Sequence, residues 1–230
     1  MGKMLYTGNR RNISQKKTRT ESFYRDCTMK NIMFDPSGMY PKGYHPIKLN
    51  RSQDFKRRAE RYTRTARPPR YYLIDFGLSR QYSSRNTLDQ LLRLGDMSTP
   101  EHKQGGRYNP FCTDIYYLGN LVREHFLLVR LDLSSAFHGT DEIVQKYNGF
   151  EFIEELVDAM RNDRPTERPT IEEVVEKFDS IRRSLSPVKL RSPITSKEDP
   201  MIFTMFRHAI QLARTLRYVI QRRPAVPVPP

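Results

Sequence analysis

The spacing of apolar and polar residues changes near residue 111 and divides the chain into two parts. In the first part, short apolar runs at residues 31–35 (NIMFD) and 71–74 (YYLI) predict two strands. Both are rich in aromatic or β-branched residues, and the first ends at a Pro-Ser-Gly turn. In the second part, apolar residues recur at helical spacing. The pattern predicts an α+β chain that is mainly α, with a small β-hairpin.

Helices are predicted from residue 111 onward. Three of them carry an apolar stripe along one face, and the third begins at a capping box, Thr170-Ile-Glu-Glu173. A last amphipathic helix is predicted over 199–222, with Asp199 as N-cap and Pro200 as the first helical residue. The three stripes are Ile115, Leu118, Val122 and Phe126; Phe152, Ile153, Leu156, Val157 and Met160; and Val174, Val175, Phe178 and Ile181.

Other segments lack a periodic apolar pattern and are predicted to lie outside regular elements. Residues 41–70 are predicted to form a long loop, with one helical turn around residues 53–61. The remaining segments are a disordered basic stretch at 1–23, a possible insertion at 128–146, a Ser/Pro-rich linker at 185–198 and a Pro-rich tail at 223–230.

Positive charge is concentrated in two segments. The net charge is +14; residues 1–20 and 51–70 each carry +6, so the other 190 residues sum to +2. Such a segment can bind phosphates, anionic lipid or an acidic partner, and the arginines of 51–70 are interleaved with Tyr62 and prolines, as in RNA-binding segments. An acidic protein or RNA is therefore a candidate partner at 51–70. A solvated basic loop is the simpler interpretation.

Cysteine content and hydropathy indicate the compartment. Cys27 and Cys112 are the only cysteines, too few for a disulfide framework, which favours a reducing, intracellular location, cytoplasmic or nuclear. No apolar run approaches the ~20 residues that span a bilayer, so no membrane partner is expected.

Short motifs with catalytic chemistry occur in a fixed order. They are Tyr-Arg-Asp-x-x-x-x-Asn at 24–31, Asp-Phe-Gly at 75–77 and Thr-Pro-Glu at 99–101, followed by Asp114 and Arg168. In this order they resemble the C-terminal lobe of a eukaryotic-type protein kinase over residues 24–184. The basic segment at 41–70 is then an insertion, because the family has only a tight turn between the corresponding strands.

The resemblance implies ATP- and Mg²⁺-dependent phosphoryl transfer to a Ser/Thr hydroxyl of a protein substrate, less readily to Tyr. Asp26 would be the catalytic base, which accepts a hydrogen bond from the substrate hydroxyl. Asn31 and Asp75 would bind Mg²⁺, which favours hard oxygen ligands, and with it ATP. Lys30 would contact a phosphate, because Thr28 stands where Ser/Thr kinases commonly carry a lysine.

The same resemblance assigns structural and regulatory roles. Arg25 is similar to the arginine that captures a phosphorylated activation segment, and Gly77 completes the Asp-Phe-Gly motif. Asp114 is similar to the aspartate that braces the backbone of the catalytic loop. Glu101 and Arg168 are expected to form a buried ion pair.

The chain departs from the family at its start. Tyr24 replaces the usual histidine, a change found in active kinases. Only 23 residues precede Tyr24, and they contain neither a G-x-G-x-x-G loop nor a VAIK-type strand. A five-stranded N-terminal lobe needs well over ~50 residues, so we expect this lobe to be missing.

For this chain, we therefore expect neither autophosphorylation nor a thermal shift with Mg-ATP. One alternative is a non-catalytic pseudokinase or interaction module that uses the basic insertion. Another is a truncated gene product without a function of its own. Retention of Asp26, Asn31 and Asp75 favours a recent truncation, or an incomplete gene model of an active kinase, over a long-standing pseudokinase. The sequence indicates no oligomeric state.

Overall fold

The structure, a computed structural model, describes residues 21–90, 97–105, 107–131, 142–145, 147–196 and 199–228. Within these ranges more residues lie in helices than in strands, so the fold is α+β with a larger helical part, as predicted. No described helix is both long enough and apolar enough to cross a membrane.

The strands are short and pair two by two. In chain order they are β1 (Glu21–Phe23), β2 (Ile32–Phe34), β3 (Tyr71–Leu73), β4 (Arg80–Tyr82), β5 (Asp89–Gln90), β6 (Arg107–Tyr108), β7 (Leu128–Leu131), β8 (Glu142–Gln145), β9 (Tyr147–Asn148) and β10 (Thr195–Ser196). The pairs are all antiparallel: β1 with β4, β2 with β3, β5 with β6, β7 with β8, and β9 with β10. The two strands predicted from the apolar runs are thus β2 and β3, and they form the predicted hairpin.

The helices occupy mainly the second half of the chain. They are α1 (Pro100–Gln104), α2 (Pro110–Val122), α3 (Glu154–Met160), α4 (Ile171–Ser184), α5 (Pro187–Arg191) and α6 (Met201–Ile220). A π-helical turn, Arg123–Leu127, extends α2, and single 3₁₀ turns occur at Met29–Asn31, Glu151–Ile153 and Pro165–Glu167.

The hydrophobic core lies between α2, α3 and α4. Seven of its buried side chains belong to the predicted stripes: Ile115, Val122, Ile153, Leu156, Val157, Met160 and Val174. Two do not, Leu121 of α2 and Leu127 of the turn after it. Helices α2 and α3 approach closely at Gly119, where an added Cβ would lie 2.9 Å from the Cβ of Met160. Glycine is unfavourable inside a helix, and this contact gives it a packing reason.

Helix starts follow the predicted capping in α4 but not in α6. The Oγ1 of Thr170 accepts a hydrogen bond from the amide of Glu173, whose carboxylate accepts one from the amide of Thr170. This confirms the capping box. In α6, Pro200 is the N-cap, and the carboxylate of Asp199 accepts hydrogen bonds from Ser196 N and Arg207 instead. The predicted cap at Asp199 is therefore wrong, because the amide of Ser196 and the guanidinium of Arg207, rather than the first amides of α6, hold its side chain.

Two further sequence predictions need correction. Residues 21–23, predicted to be disordered, form β1, with Phe23 buried against Phe111; residues 1–20 lie outside the described ranges. The stretch at 185–198, predicted to be a linker, contains α5 and β10. Strands β1 and β10 form only by pairing with distant strands, so they carry little local signal.

The two predicted insertions have some regular pairing. Residues 53–61 form no helical turn; instead Arg51 and Arg58 pair as an isolated β-bridge within the basic insertion. The amide of Tyr62 donates to the carbonyl of Met39, whose side chain is buried, so the insertion packs on the chain that precedes it. In the segment 128–146, β7 and β8 form a hairpin, and residues 132–141 lie outside the described ranges.

Candidate active site

The β2–β3 hairpin brings Asn31 and Asp75 to the same end of the two strands. Its register pairs Ile32 with Leu73, and beyond this pair the amide of Ile74 donates to the carbonyl of Asn31 across 3.0 Å. Asn31 immediately precedes β2, and Asp75 follows β3 by two positions. The two oxygen-bearing side chains, separated by 44 positions in sequence, therefore leave neighbouring points of the backbone.

Asn31 is hydrogen-bonded to Asp26. Its Nδ2 donates to the carboxylate of Asp26 across 2.6 Å and to the carbonyl of the same residue across 3.1 Å. Asn31 is buried, and the turn is closed by the amide of Thr28, which donates to Asp26 O across 2.8 Å. Because Asn31 makes both of its hydrogen bonds to Asp26 through Nδ2, its side-chain oxygen Oδ1 remains available to bind a cation.

Asp114 holds the backbone of the loop that carries Asp26. Its two carboxylate oxygens accept hydrogen bonds from the amides of Tyr24, at 2.7 Å, and Arg25, at 2.9 Å. Arg25 has φ = 72°, a left-handed conformation that is unfavourable for a residue with a side chain. The two hydrogen bonds to α2 thus stabilise a strained loop conformation.

The environment of Asp114 disfavours its charge. Burial raises the pKa of this carboxyl from 3.8 to about 7, while the two backbone donors and the nearby Arg25 charge act in the opposite direction. The group that fixes the loop therefore titrates near neutral pH.

Tyr24 connects the loop to the strand that precedes Asp75. Its phenol donates to the carbonyl of Ile74, and its ring packs edge-on against Phe76 with 5.3 Å between the centroids. Burial, followed by the charges of Cys27, Asp26, Asp75 and Asp114, raises the pKa of Tyr24 to about 12. The phenol accordingly stays protonated and remains a donor at any physiological pH.

Asp75 also has a left-handed backbone, with φ = 59°. Its Oδ1 accepts a hydrogen bond from the amide of Gly77 across 3.2 Å. A Cβ on Gly77 would lie 3.2 Å from the same oxygen, which is tighter than ordinary van der Waals contact. Glycine at position 77 therefore leaves the Asp75 carboxylate the space for this orientation.

Lys30 lies in the 3₁₀ turn Met29–Asn31, between Asp26 and Asn31 in sequence. It is exposed, and its ammonium forms no ion pair with any described carboxylate. Its position beside Asn31 allows it to reach an anion bound there.

Arg25 binds a carboxylate that the sequence analysis did not assign. Its Nη2 forms an ion pair with Asp89 and donates to the hydroxyl of Tyr82 across 2.9 Å. Tyr82 and Arg80 also donate to Asp89, so the single carboxylate of Asp89 binds all three side chains. The sequence could have drawn attention to Asp89, because Asp89 and Asp96 are the only acidic residues between Asp75 and Glu101. Pairing with Arg25, however, depends on the tertiary fold.

Glu101 and Arg168 form a bidentate pair that is almost completely buried. The Nη1–Oε1 and Nη2–Oε2 distances are 2.6 and 2.9 Å. The guanidinium also donates to the carbonyls of Asn162 and Cys112, and it lies 4.8 Å from the ring centroid of Tyr116. The pair therefore joins α1, α2 and the loop before α4, at a distance in sequence from the Asp26 loop.

The donor set at the hairpin end suits Mg²⁺ bound together with a phosphate. The described residues contain no cluster of three or more His, Cys, Asp and Glu side chains that would form a closed metal site. Mg²⁺ commonly takes only one or two protein oxygens and completes its octahedron with phosphate oxygens and water. Asn31 Oδ1 and the exposed Asp75 carboxylate fit that requirement.

Comparisons with known proteins do not assign the chain to a family. No protein-family model matches the chain, and no curated protein matches it.

Proposed function

We propose that the chain contains the C-terminal lobe of a protein-kinase-like phosphotransferase. The observation that carries the proposal is the convergence of three groups: Asp26 bonded to Asn31, Asn31 joined through the hairpin to Asp75, and the loop held from behind by Asp114. Local turn formation accounts for the first contact alone. It does not account for an aspartate on α2 that binds two consecutive backbone amides, 90 and 89 positions away.

In the proposed reaction, the oxygen of a protein Ser/Thr hydroxyl attacks the γ-phosphorus of ATP. The new O–P bond forms as the bond to the β,γ-bridging oxygen breaks, and ADP leaves. Asp26 accepts the hydroxyl proton through its carboxylate, whose second oxygen is held by Asn31. Bound Mg²⁺ would neutralise the phosphate charge, and Asn31 and Asp75 would hold it. Lys30 supports the proposal as an exposed cation in the same turn.

Asp26, Lys30, Asn31 and Asp75 would form one half of such an active site. The 230 residues contain no G-x-G-x-x-G sequence that could cover the phosphates from the opposite side. We therefore expect metal-dependent nucleotide binding by the Asn31–Asp75 end of the hairpin that is too weak to raise the unfolding temperature, without turnover by this chain alone.

Water-proton relaxation of Mn²⁺ tests the proposal, because Mn²⁺ accepts the same oxygen ligands as Mg²⁺. Adding the chain to Mn²⁺ and ATP should enhance relaxation, and Asp75→Ala should remove the enhancement. Asp35→Ala is the matched control, since Asp35 is also an exposed aspartate next to a strand of the same hairpin. An enhancement that Asp75→Ala leaves unchanged would contradict the proposal and favour a non-catalytic interaction module.

A further inference from the structure

Helix α6 is docked with its polar face toward the chain and its apolar face outward. Its partly buried residues are polar or amphipathic: Thr204, Gln211, Thr215 and Tyr218. At about 100° per residue these four positions lie on one side of the helix. Gln211 donates to the carbonyl of Arg191 across 2.9 Å, and the hydroxyls of Tyr218 and Thr63 are hydrogen-bonded. A surface helix ordinarily buries its apolar stripe, so α6 has the reverse orientation.

The outward face is large. Ten bulky apolar side chains of α6 are each more than a third exposed: Met201, Ile202, Phe203, Met205, Phe206, Ile210, Leu212, Leu216, Val219 and Ile220. All but Ile210 expose more than half of their surface. The largest apolar patch of a typical monomer covers about 300–600 Å², and patches above this size mark interaction sites. Ten exposed apolar side chains on one helix make the face of α6 a candidate interaction site of this kind.

The charge around this face has a single sign. Residues 200–230 contain five arginines and no acidic residue. Arg214 and Arg217 are exposed and lie along one border of the apolar face. Arg223, which follows the end of α6, contacts the basic insertion, since its Nη1 donates to the carbonyl of Ala66 across 2.9 Å. The insertion adds a net charge of +6 from residues 51–70.

These observations favour one of three possible binding partners of the apolar face of α6. A second copy of the chain would bring arginines against arginines, without any acid on α6 to compensate. A partner protein that encircles the helix would have to break the contacts of Gln211, Tyr218 and Arg223 with the rest of the chain. A flat anionic surface needs only the exposed face and is attracted by the arginines.

We propose that α6 binds an anionic phospholipid surface and lies in its plane. The apolar face enters the boundary between headgroups and acyl chains, and Arg214, Arg217 and the basic insertion face the headgroup phosphates. The sequence predicts no membrane partner, because no apolar run is long enough to cross a bilayer. A helix lying in the plane of the surface needs no such segment.

Fluorescence provides a direct test, because the chain contains no tryptophan. Leu212→Trp places a single reporter on the exposed face. Its emission should shift to shorter wavelength with vesicles of equal parts phosphatidylcholine and phosphatidylserine, and much less with phosphatidylcholine alone. Raising the ionic strength should weaken the effect. Leu88→Trp, at another exposed leucine outside α6, should show no shift.

Co-sedimentation supplies the second measurement. Leu212→Gln/Leu216→Gln should lower binding to the phosphatidylserine vesicles about a hundredfold, since burial of each leucine is worth about a factor of ten. Leu88→Gln should leave binding unchanged. Because these leucines are exposed, the variants should unfold at the same temperature as the parent chain. Any of three results would overturn the proposal: no vesicle binding, equal binding to both vesicle types, or a concentration-dependent dimer that the double variant abolishes.

Discussion

The phenol of Tyr24 donates a hydrogen bond to the carbonyl of Ile74, the residue directly before Asp75. Tyr24 stands two positions before Asp26, so this contact joins the loop of the proposed base to the strand of the proposed metal ligand. The contact between the rings of Tyr24 and Phe76 reinforces the connection from the other side of Asp75. A side chain at position 24 thus acts on both parts of the candidate site.

Tyr24→Phe should weaken both the fold and the site. The substitution leaves the Ile74 carbonyl without its donor, and we expect the free energy of unfolding to fall by about 1 kcal/mol. We also expect weaker binding of Mn²⁺ and ATP, because Asp75 loses a fixed neighbour. Urea unfolding and Mn²⁺ relaxation measure the two effects. Tyr72→Phe, at an exposed tyrosine of β3, is the control and should change neither.

Breaking the Glu101–Arg168 pair should be costly. Arg168→Met leaves the Glu101 carboxylate buried without its partner, and we expect a loss of about 3–5 kcal/mol in the free energy of unfolding. Arg164→Met removes one partner of the exposed Arg164–Glu167 pair and should cost less than about 1 kcal/mol. In urea unfolding, the double variant Glu101→Leu/Arg168→Met should recover most of the loss. Equal costs for Arg168→Met and Arg164→Met would contradict the buried pair.

Asp114 should make stability depend on pH. Its pKa is raised from 3.8 to about 7 in the folded chain, so between these values the folded state binds a proton that the unfolded state has released. Stability from this group is therefore present below about pH 4 and decreases as pH rises toward 7, by up to about 1.4 kcal/mol per pH unit. Asp114→Asn should lack this decrease. Unfolding free energies at about pH 5 and about pH 8 measure it, and equal slopes for both proteins would contradict the assignment.

Gly77→Ala should affect the proposed metal site more than the fold. The new methyl group would crowd the Asp75 carboxylate at 3.2 Å and rotate it away from its orientation. We expect Mn²⁺ and ATP binding to fall severalfold, with little change in unfolding. Gly38→Ala is matched to it, since a Cβ at Gly38 meets no atom within 4 Å. If both alanine variants bind Mn²⁺ and ATP equally, the orientation of Asp75 does not depend on Gly77.

The sequence pattern predicted those elements of the fold that depend on interactions between neighbouring residues. The strands of the hairpin and the capping box of α4 depend on neighbouring residues, so short windows of sequence contain their signal. Strand β1 could not be found in this way, because Phe23 becomes part of a strand only by pairing with Arg80. The same limit applies to α6: periodicity identifies an apolar face but does not say which face docks.

In the candidate site, too, residues that are close in sequence could be predicted, whereas contacts between distant segments could not. Asp26 and Asn31 lie five positions apart, so one short window of sequence contains both. The ion pair of Arg25 with Asp89 depends on how two distant segments fold together, and the resemblance to kinases suggested a phosphate instead. Spacing and motif order indicated which residues matter, whereas the partner of a buried charge required the tertiary structure.

Paramagnetic broadening by Mn²⁺ in an isotopically labelled chain tests the central proposal most directly, because it detects weak binding residue by residue. With ATP present, Mn²⁺ should broaden the amide signals of Asn31, Asp75 and Gly77 before those of the basic insertion. Asn31→Ala/Asp75→Ala should abolish this selectivity, while Asp35→Ala should retain it. Broadening that begins within residues 51–70, or that persists unchanged in the double variant, would contradict a metal–nucleotide site at the end of the hairpin.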